Sequence, residues 1–328
     1  MSDFSVIIPT YQRGGQLDTC LEGCSRLNYP RDRFEVIVVD DGSPEGPDGV
    51  VARWRDCFDI TLVRQANAGP AAARNTGSRY ARYAHLAFID DDCVPDPGWL
   101  SCLGRAFQSA PDDLVGGSTI NALPLNVFSS ASQALVMYLT DYFDGRDGRT
   151  RLFTSNNMAV RADHFRKVGG FDAQFPRAAG EDREFCDRWI SQQRGTTVAR
   201  EAVVLHAHPL TLRTFWRQHF EYGRGAAQFR RARALRHGGP VRVEPIRFYL
   251  RLLKLPFAGG VTVEALEVAS LVALSQVANT IGFLSSGRNG LKNRKAGVGA
   301  RRETPPAPGP LHDVEQLTMV RHRASRRR

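Results

Sequence analysis

Four short apolar runs rich in Val, Ile and Phe punctuate the N-terminal third of the chain: Phe4 to Pro9, Phe34 to Asp40, Ile60 to Arg64 and Leu86 to Asp90. Between them lie longer amphipathic stretches such as Gln16 to Ser25 and Pro70 to Tyr83. The short runs predict buried strands and the longer stretches predict helices. This βαβα rhythm over residues 1–120 predicts an α/β fold with a mostly parallel, doubly wound, Rossmann-like sheet. In such sheets ligands gather at the carboxyl ends of the strands.

Residues 121–236 follow a less regular pattern, with loops expected around Asp144 to Arg149 and Gly169 to Gly180 and a helix from about Asp182 to Gln193. They read as a second half closing over the sheet. In residues 237–287 the pattern changes again. Ile246 to Phe257 mixes Arg247, Arg251 and Lys254 with Phe, Tyr and Leu, as an interfacial helix would. Val268 to Leu284 carries no charge, yet falls short of the ~20 residues that a full bilayer span needs. Basic residues stand on both sides of it: Arg251 and Lys254 before, and Arg288, Lys292, Arg294 and Lys295 after. That symmetry favours a monotopic or re-entrant hairpin on the cytoplasmic face of the cell membrane over a single span. The blander expectation is a core helix packed on the catalytic domain. Residues 288–328, dominated by Gly, Pro and Arg, are expected to be a basic disordered tail.

Composition narrows this picture. With 328 residues, 42% apolar and 24% charged, the chain is globular and long enough for one large domain or two small ones. The formal net charge is +10, but most of the excess lies after Ser286 and the main body is nearly neutral. No nucleic-acid-binding face is therefore expected. The six cysteines form no C-x-x-C pair, and Cys20 and Cys24, one helical turn apart, read as buried thiols. The N-terminus lacks the pattern of a secretory signal, so the catalytic domain is expected in a reducing cytosol.

Candidate chemistry clusters at the predicted strand ends. The first strand closes on Pro9, Thr10 and Tyr11, with Arg13 just beyond, and the second closes on Asp40 and Asp41. Adjacent carboxylates at a strand terminus can grip a base or ribose through its N–H and O–H groups, or merely cap the following turn. Asn67, Gly69 and Arg74 belong to a turn feeding a small-residue helix, where a guanidinium near the helix N-terminus suits a diphosphate. The fourth strand runs into Asp90, Asp91 and Asp92. Three successive carboxylates repel one another unless a cation neutralises them, and hard oxygen ligands with open positions suit Mn²⁺ or Mg²⁺.

In this order, the four motifs resemble those of the inverting, nucleotide-sugar-dependent glycosyltransferases of family 2, which have the GT-A fold. The resemblance covers about Phe4 to Gly225. It continues through Thr154-Ser155-Asn156-Asn157, Gly169-Gly170-Phe171-Asp172 and Gly180-Glu181-Asp182. It implies a nucleotide-sugar-binding half (1–120), with Thr10, Tyr11 and Asp41 around the base and Pro9, Arg13, Asp40, Asn67, Gly69, Arg74, Asp90 and Asp91 binding the donor. It implies an acceptor-binding half (121–236), with Asn156, Asn157, Gly170, Glu181 and Arg217 in the acceptor and sugar pocket. It implies that Asp182 is the catalytic base. The resemblance also implies that Asp90 and Asp92 form the metal-holding D-x-D pair, joined by His206 with His208 as the second choice.

Phe215-Trp216-Arg217-Gln218 stands where processive members carry Q-x-x-R-W, which is not reproduced, so a processive polymer synthase is disfavoured. The expected reaction transfers a sugar, from a UDP-sugar by family frequency, to a glycan or lipid-linked acceptor. Two rival readings are a catalytically silent nucleotide-sugar-binding scaffold and a sugar nucleotidyltransferase. The second would open on a Gly-rich, basic triphosphate loop rather than Pro9-Thr10-Tyr11-Gln12-Arg13.

Overall fold

The computed structural model describes residues 1–143, 152–175, 179–238, 240, 244–296 and 318–322; the loop expected at 144–149 lies outside them. Among the described residues nine strands form one sheet: β1 (Phe4–Thr10), β2 (Phe34–Asp40), β3 (Asp59–Arg64), β4 (His85–Ile89), β5 (Cys93–Pro95), β6 (Leu114–Asn121), β7 (Asn157–Arg161), β8 (Thr196–His206) and β9 (Thr318–His322). The order across the sheet is β5-β8-β6-β7-β4-β1-β2-β3-β9. The helices are α1 (Gly14–Ser25), α2 (Asp48–Arg53), α3 (Pro70–Tyr80), α4 (Trp99–Ser109), α5 (Val127–Phe143), α6 (Ala162–Val168), α7 (Glu181–Ser191), α8 (Leu212–His237), α9 (Ile246–Lys254) and α10 (Val263–Ala296).

The first four strands pair in parallel, as their rhythm predicts. Beyond β4 the sheet is mixed: β7 runs antiparallel to both β4 and β6, and β5 antiparallel to β8. Along β1, Phe4, Val6 and Ile8 pack on α1 and α4, while Ile7 faces the opposite core with α6 and α7. This period of two explains why a strand buried on both faces reads as a continuous apolar run. Helix α3 lies so close to β1 and β2 that a Cβ at Gly77 would sit 2.5 Å from the Ile7 side chain. That closeness brings the N-terminus of α3 to the strand ends.

A separate helical layer forms from α5, α8, α9 and α10, with Leu135, Tyr138, Phe215, Phe248, Leu252 and Val272 at its centre. Helices α8 and α10 cross in backbone contact, where Gly223 meets Asn279 and Gly282 meets Phe220. The C-terminal expectations change in two respects. The charge-free run is part of one continuous 34-residue helix, so no re-entrant hairpin forms within it. Its backbone extends into the predicted tail, and Thr318–His322, also predicted to be disordered, adds an antiparallel edge strand to β3. The helix reconciles its core and surface readings by having two faces. Ala265, Val272, Ala278 and Gly282 turn inward, whereas Leu266, Val277, Ile281 and Leu284 remain exposed.

Candidate active site

Strand β4 ends at Ile89, and the next three residues carry the carboxylates in different directions. Asp91 is buried and accepts hydrogen bonds from Thr10 Oγ1 (2.8 Å) and Arg13 Nη1 (3.2 Å). Burial pushes its pKa up to about 6, against the pull of Arg13. Asp92 faces Arg13 Nη1 at 3.0 Å, His206 Nε2 at 3.3 Å and His208 Nδ1 at 3.2 Å. Burial would raise Asp92, but hydrogen bonds from the two histidines and the charge of Arg13 hold it well below the usual carboxylate range. The antiparallel pairing of β5 with β8 places His206 opposite Cys93, and so beside Asp92. The His206 and His208 rings stack 5.3 Å apart, and His208 Nε2 continues to Gln218 Oε1 at 2.9 Å.

Asp90 turns the other way. It accepts from Arg74 Nη2 at 2.5 Å, and Arg74 Nη1 reaches Glu181 Oε1 at 3.1 Å. The buried guanidinium thus ties the β4 end to the N-terminus of α7. It stays protonated because the two carboxylates outweigh the cost of burial. Arg74 is therefore a brace between two acidic motifs rather than a free clamp for diphosphate. Glu181 and Asp182 follow Gly180, whose φ of +95° opens α7. Asp182 Oδ1 accepts the Arg183 backbone N–H at 2.7 Å. Burial raises the pKa values of both Glu181 and Asp182, despite the nearby cations.

These groups share a cavity of about 530 Å³. Arg13, Arg74, Asp90, Asp92, Asn156, Glu181, Asp182, His206 and His208 all line it. Gln218, Tyr222 and Arg183 also line it, and sequence reasoning did not single them out. A metal-ligand geometry exists at Asp92, Cys93 and His206, whose ligand atoms lie within 4.8 Å of one another. Carboxylate and imidazole there fit a divalent ion, and burial keeps the Cys93 thiol protonated. Asp90 is not in that group, being turned toward Arg74.

Several expected site residues have other work. Asn157 is buried and donates to the Ser118 and Ala202 carbonyls (2.9 and 2.8 Å) while accepting from Trp99 Nε1 (2.9 Å). The β6–β8 register shifts between Gly117 and Ser118, leaving backbone groups that this amide satisfies. Gly170 packs against Asn75 at φ +66° in the turn after α6. Arg217 is exposed on α8 and does not line the cavity, whereas its neighbour Gln218 does.

On the donor side, Pro9 is buried within β1. Asp40 accepts from the Ser43 N–H (3.1 Å), and Asp41 accepts from Gln65 Nε2 and the Ala68 and Gly69 N–H groups (2.7, 2.9 and 2.8 Å). Asn67 Nδ2 returns a bond to the Asp41 carbonyl at 2.9 Å. Asp41 thus fixes the loop leading to α3, Asp40 fixes the turn after β2, and Tyr11 is 43% exposed.

A parallel half-sheet whose acidic strand ends face a cavity with a carboxylate–imidazole metal geometry defines a nucleotide-dependent transferase class. The glycosyl transferase family 2 model matches residues 5–169. The chain is 28% identical over 227 residues to the glycosyltransferase AglE of Haloferax volcanii, covering 68% of this chain and 73% of that one. It is 31% identical over 226 residues to the validoxylamine A glucosyltransferase of Streptomyces hygroscopicus subsp. jinggangensis, covering 60% of this chain and 54% of that protein, so it spans about half that relative's length. The mannosyltransferase PcManGT from Pyrobaculum calidifontis, solved with GDP-Man and Mn²⁺, shares the fold at TM-score 0.56 and 20% identity, over 90% of this chain and 83% of that one. The chain belongs to glycosyl transferase family 2, and it is a glycosyltransferase with the GT-A fold.

Proposed function

We propose that the protein transfers a sugar, with inversion, from a nucleotide diphosphate sugar to an acceptor hydroxyl. A UDP-sugar is the first donor to test, and a lipid-linked or cell-surface glycan precursor is the acceptor class. The observation that carries this reading is the convergence of Asp90, Asp92, His206, His208 and Asp182 on one cavity.

Asp182 is the base. It sits at a helix N-terminus, half-buried, with one oxygen held by the Arg183 N–H, and it can receive the acceptor's proton as the hydroxyl attacks the anomeric carbon. One displacement inverts that centre, so an α-linked donor gives a β-linked product. Arg74 holds Glu181 and Asp90 in place, which fixes Asp182 relative to the strand ends. Arg13 and Thr10 fix Asp91 and Asp92. Asp92 and His206 would hold Mn²⁺ or Mg²⁺, and His208, itself bonded to Gln218, would steady Asp92. Such an ion supplies charge neutralisation for the departing diphosphate. PcManGT with GDP-Man and Mn²⁺ supports a nucleotide sugar and a divalent ion as the ligands. Tyr11 and the Asn67–Gly69 loop form the base-binding wall in this reading.

We place the enzyme on the cytoplasmic face of the membrane, lying in the interface rather than crossing it. The most apolar 18-residue window within Val263–Ser286 has mean hydropathy 1.5, with 22% of that window buried. Its inner face packs on α8, where Gly223 meets Asn279 and Gly282 meets Phe220. A helix covered by protein along one side and apolar on the other suits an interface better than a hydrocarbon core.

The deciding experiment is a panel of UDP-, GDP- and dTDP-sugars assayed for nucleoside diphosphate release with Mn²⁺, with Mg²⁺ and with chelator. Release from one donor, restored by metal after chelation, supports the reading. No release from any donor in the presence of acceptor glycolipids would refute it. For the membrane assignment, the full chain should sediment with anionic liposomes and the Val277→Glu, Ile281→Glu double variant should not. Equal sedimentation of the two would refute it.

A further inference from the structure

A stripe of α10 forms part of the cavity wall: Gln276, Asn279, Thr280, Phe283 and Leu284, spaced as one face of a helix. The first three are amides and a hydroxyl, set in a run of the helix that carries no charge. All five lie outside residues 5–169, which the family model matches. Helix α8 brings this stripe to the proposed base. Two glycines within one turn of α8 let it touch a neighbour on each side. A Cβ at Gly223 would collide with the Asn279 carbonyl, and one at Gly225 with the carbonyl of Ala179, in the segment that leads into Asp182. Tyr222, beside Gly223, also lines the cavity. Burial, together with the charges of Asp182, Glu181 and Asp92, pushes its pKa up, so its hydroxyl stays protonated.

These side chains have hydrogen-bonding capacity left over. Tyr222 accepts from Gln218 Nε2 at 2.8 Å, and among the described residues its own O–H has no acceptor. Gln276 Nε2 donates to Ser275 Oγ at 3.0 Å, which leaves its Oε1 open to the cavity. The Asn279 side chain makes no hydrogen bond among the described residues. Amides and hydroxyls at a half-buried wall need partners that both donate and accept. Charge is not what is missing there. Arg230 faces Glu244 at 3.9 Å, and Asp182 and Glu244 support the charge of Arg183. The complementary ligand is therefore uncharged and rich in hydroxyls. A hydrocarbon would leave these groups unsatisfied, at a cost in desolvation.

We propose that Tyr222 of α8 and Gln276 and Asn279 of α10 are acceptor-recognition residues, which hydrogen-bond ring hydroxyls of an uncharged sugar whose attacking hydroxyl faces Asp182. This deepens the proposed sugar-transfer reading and rests on it. It gives α10 two functions on two faces: substrate binding inward, and the apolar contact through Val277 and Ile281 outward.

The test uses the full-length protein with Mn²⁺. Calorimetry first compares UDP, GDP and dTDP, and the tightest is kept at saturation. The acceptor probes are methyl β-D-glucopyranoside, methyl α-D-mannopyranoside and methyl β-D-galactopyranoside, with methyl β-D-glucuronide as the charged counterpart and cyclohexylmethanol as a ring without ring hydroxyls. Their affinities are read by ligand-observed NMR titration. The parent is expected to prefer a neutral glycoside over both comparators. Gln276→Met and Asn279→Leu keep side-chain size and remove the amides, and Tyr222→Phe removes the hydroxyl. Each should weaken the best glycoside by about three- to tenfold, the worth of one neutral hydrogen bond, while cyclohexylmethanol and the nucleotide stay within about twofold. Unchanged glycoside affinity in all three variants would overturn the assignment, as would equal losses for glycoside and cyclohexylmethanol. So would a parent that binds no neutral glycoside, or that binds either comparator at least as tightly. Failure of the parent to bind any of the three nucleotides would instead remove the sugar-transfer reading on which the assignment rests.

Discussion

In the parallel half of the sheet every acidic group of interest lies at or just beyond a strand end, whereas in the mixed half the functional groups arrive by longer routes. Asp40 closes β2, and Asp90 to Asp92 follow β4 directly. His206 reaches the site through the pairing of β5 with β8, Asp182 through the start of α7, and Gln218 through α8. Parallel strands buried on both faces fix where their ends point, so a short sequence is enough to place a carboxylate. The second half assembles its site from segments far apart in the chain. A defect there should damage chemistry or packing while leaving the donor side intact.

The largest expected effect tests the second half. Asp182→Asn keeps the side-chain shape and removes the proton acceptor, so kcat should fall by roughly 10²–10⁴, with donor KM little changed. Because burial raises Asp182 above the ordinary carboxylate value, the protonated, inactive form persists to higher pH than for an exposed aspartate. Activity in the parent should rise with pH along an acid limb displaced upward, and a pH–rate profile of the variant should lack that limb. Near-normal kcat in the variant would move the base elsewhere. Glu181 would be a poor second choice, since it is buried and paired with Arg74.

The matching experiment on the first half is Asp92→Ala. This removes the group on which Arg13, His206 and His208 converge. We expect a loss of at least ~10² in turnover, several kcal/mol of leaving-group stabilisation, together with a weaker response to added Mn²⁺. Unchanged metal dependence in the variant would show that the ion is held without Asp92.

How much of this was legible in the sequence follows the same division. The four parallel strands, the buried Cys20 and Cys24, and the acidic strand ends could be read from apolar runs and their punctuation. The split between Asp90 and Asp92 could not, because it depends on Arg74 and on two histidines more than a hundred residues away. The resemblance puts Asn157 in the acceptor pocket; the β6–β8 register shift that consumes its amide leaves no mark in a linear pattern. Arg217 and Gln218 are adjacent, and only the rotation of α8 decides which one faces the cavity. The strand at Thr318–His322 was hidden by its Arg- and Pro-rich surroundings.

A smaller effect is expected where α8 and α10 cross. A Cβ at Gly223 would run into the Asn279 backbone, which cannot give way as a flexible side chain would. Gly223→Ala should therefore separate the two helices and lower stability by about 3 kcal/mol, the upper range for overpacking. Differential scanning calorimetry should show a lower Tm for the helical layer, while UDP binding at the parallel half persists. If Tm were unchanged, the close crossing would not be an energetic feature of the fold.

The smallest effect concerns His219, on the same helix. It is fully buried, and neither ring nitrogen has a hydrogen-bond partner among the described residues. Phe215 and Tyr222 pack edge-on against it, with ring centroids 4.3 and 5.5 Å away. Burial alone pushes its pKa down to about 4 from the ordinary 6.5. The folded chain thus holds His219 neutral over a range where the unfolded chain binds a proton. A group depressed in this way contributes fully above the unfolded value, and its contribution is lost as pH falls from about 6.5 toward 4. Between pH 7.5 and 5.5 the loss should be roughly 1 kcal/mol. His219→Phe removes the titrating group and retains the packing. Urea unfolding followed by Trp fluorescence should then show a midpoint that declines less over that interval in the variant than in the parent. Equal declines would mean that His219 is protonated in the folded state, with an anionic or water partner that its apolar surroundings do not reveal.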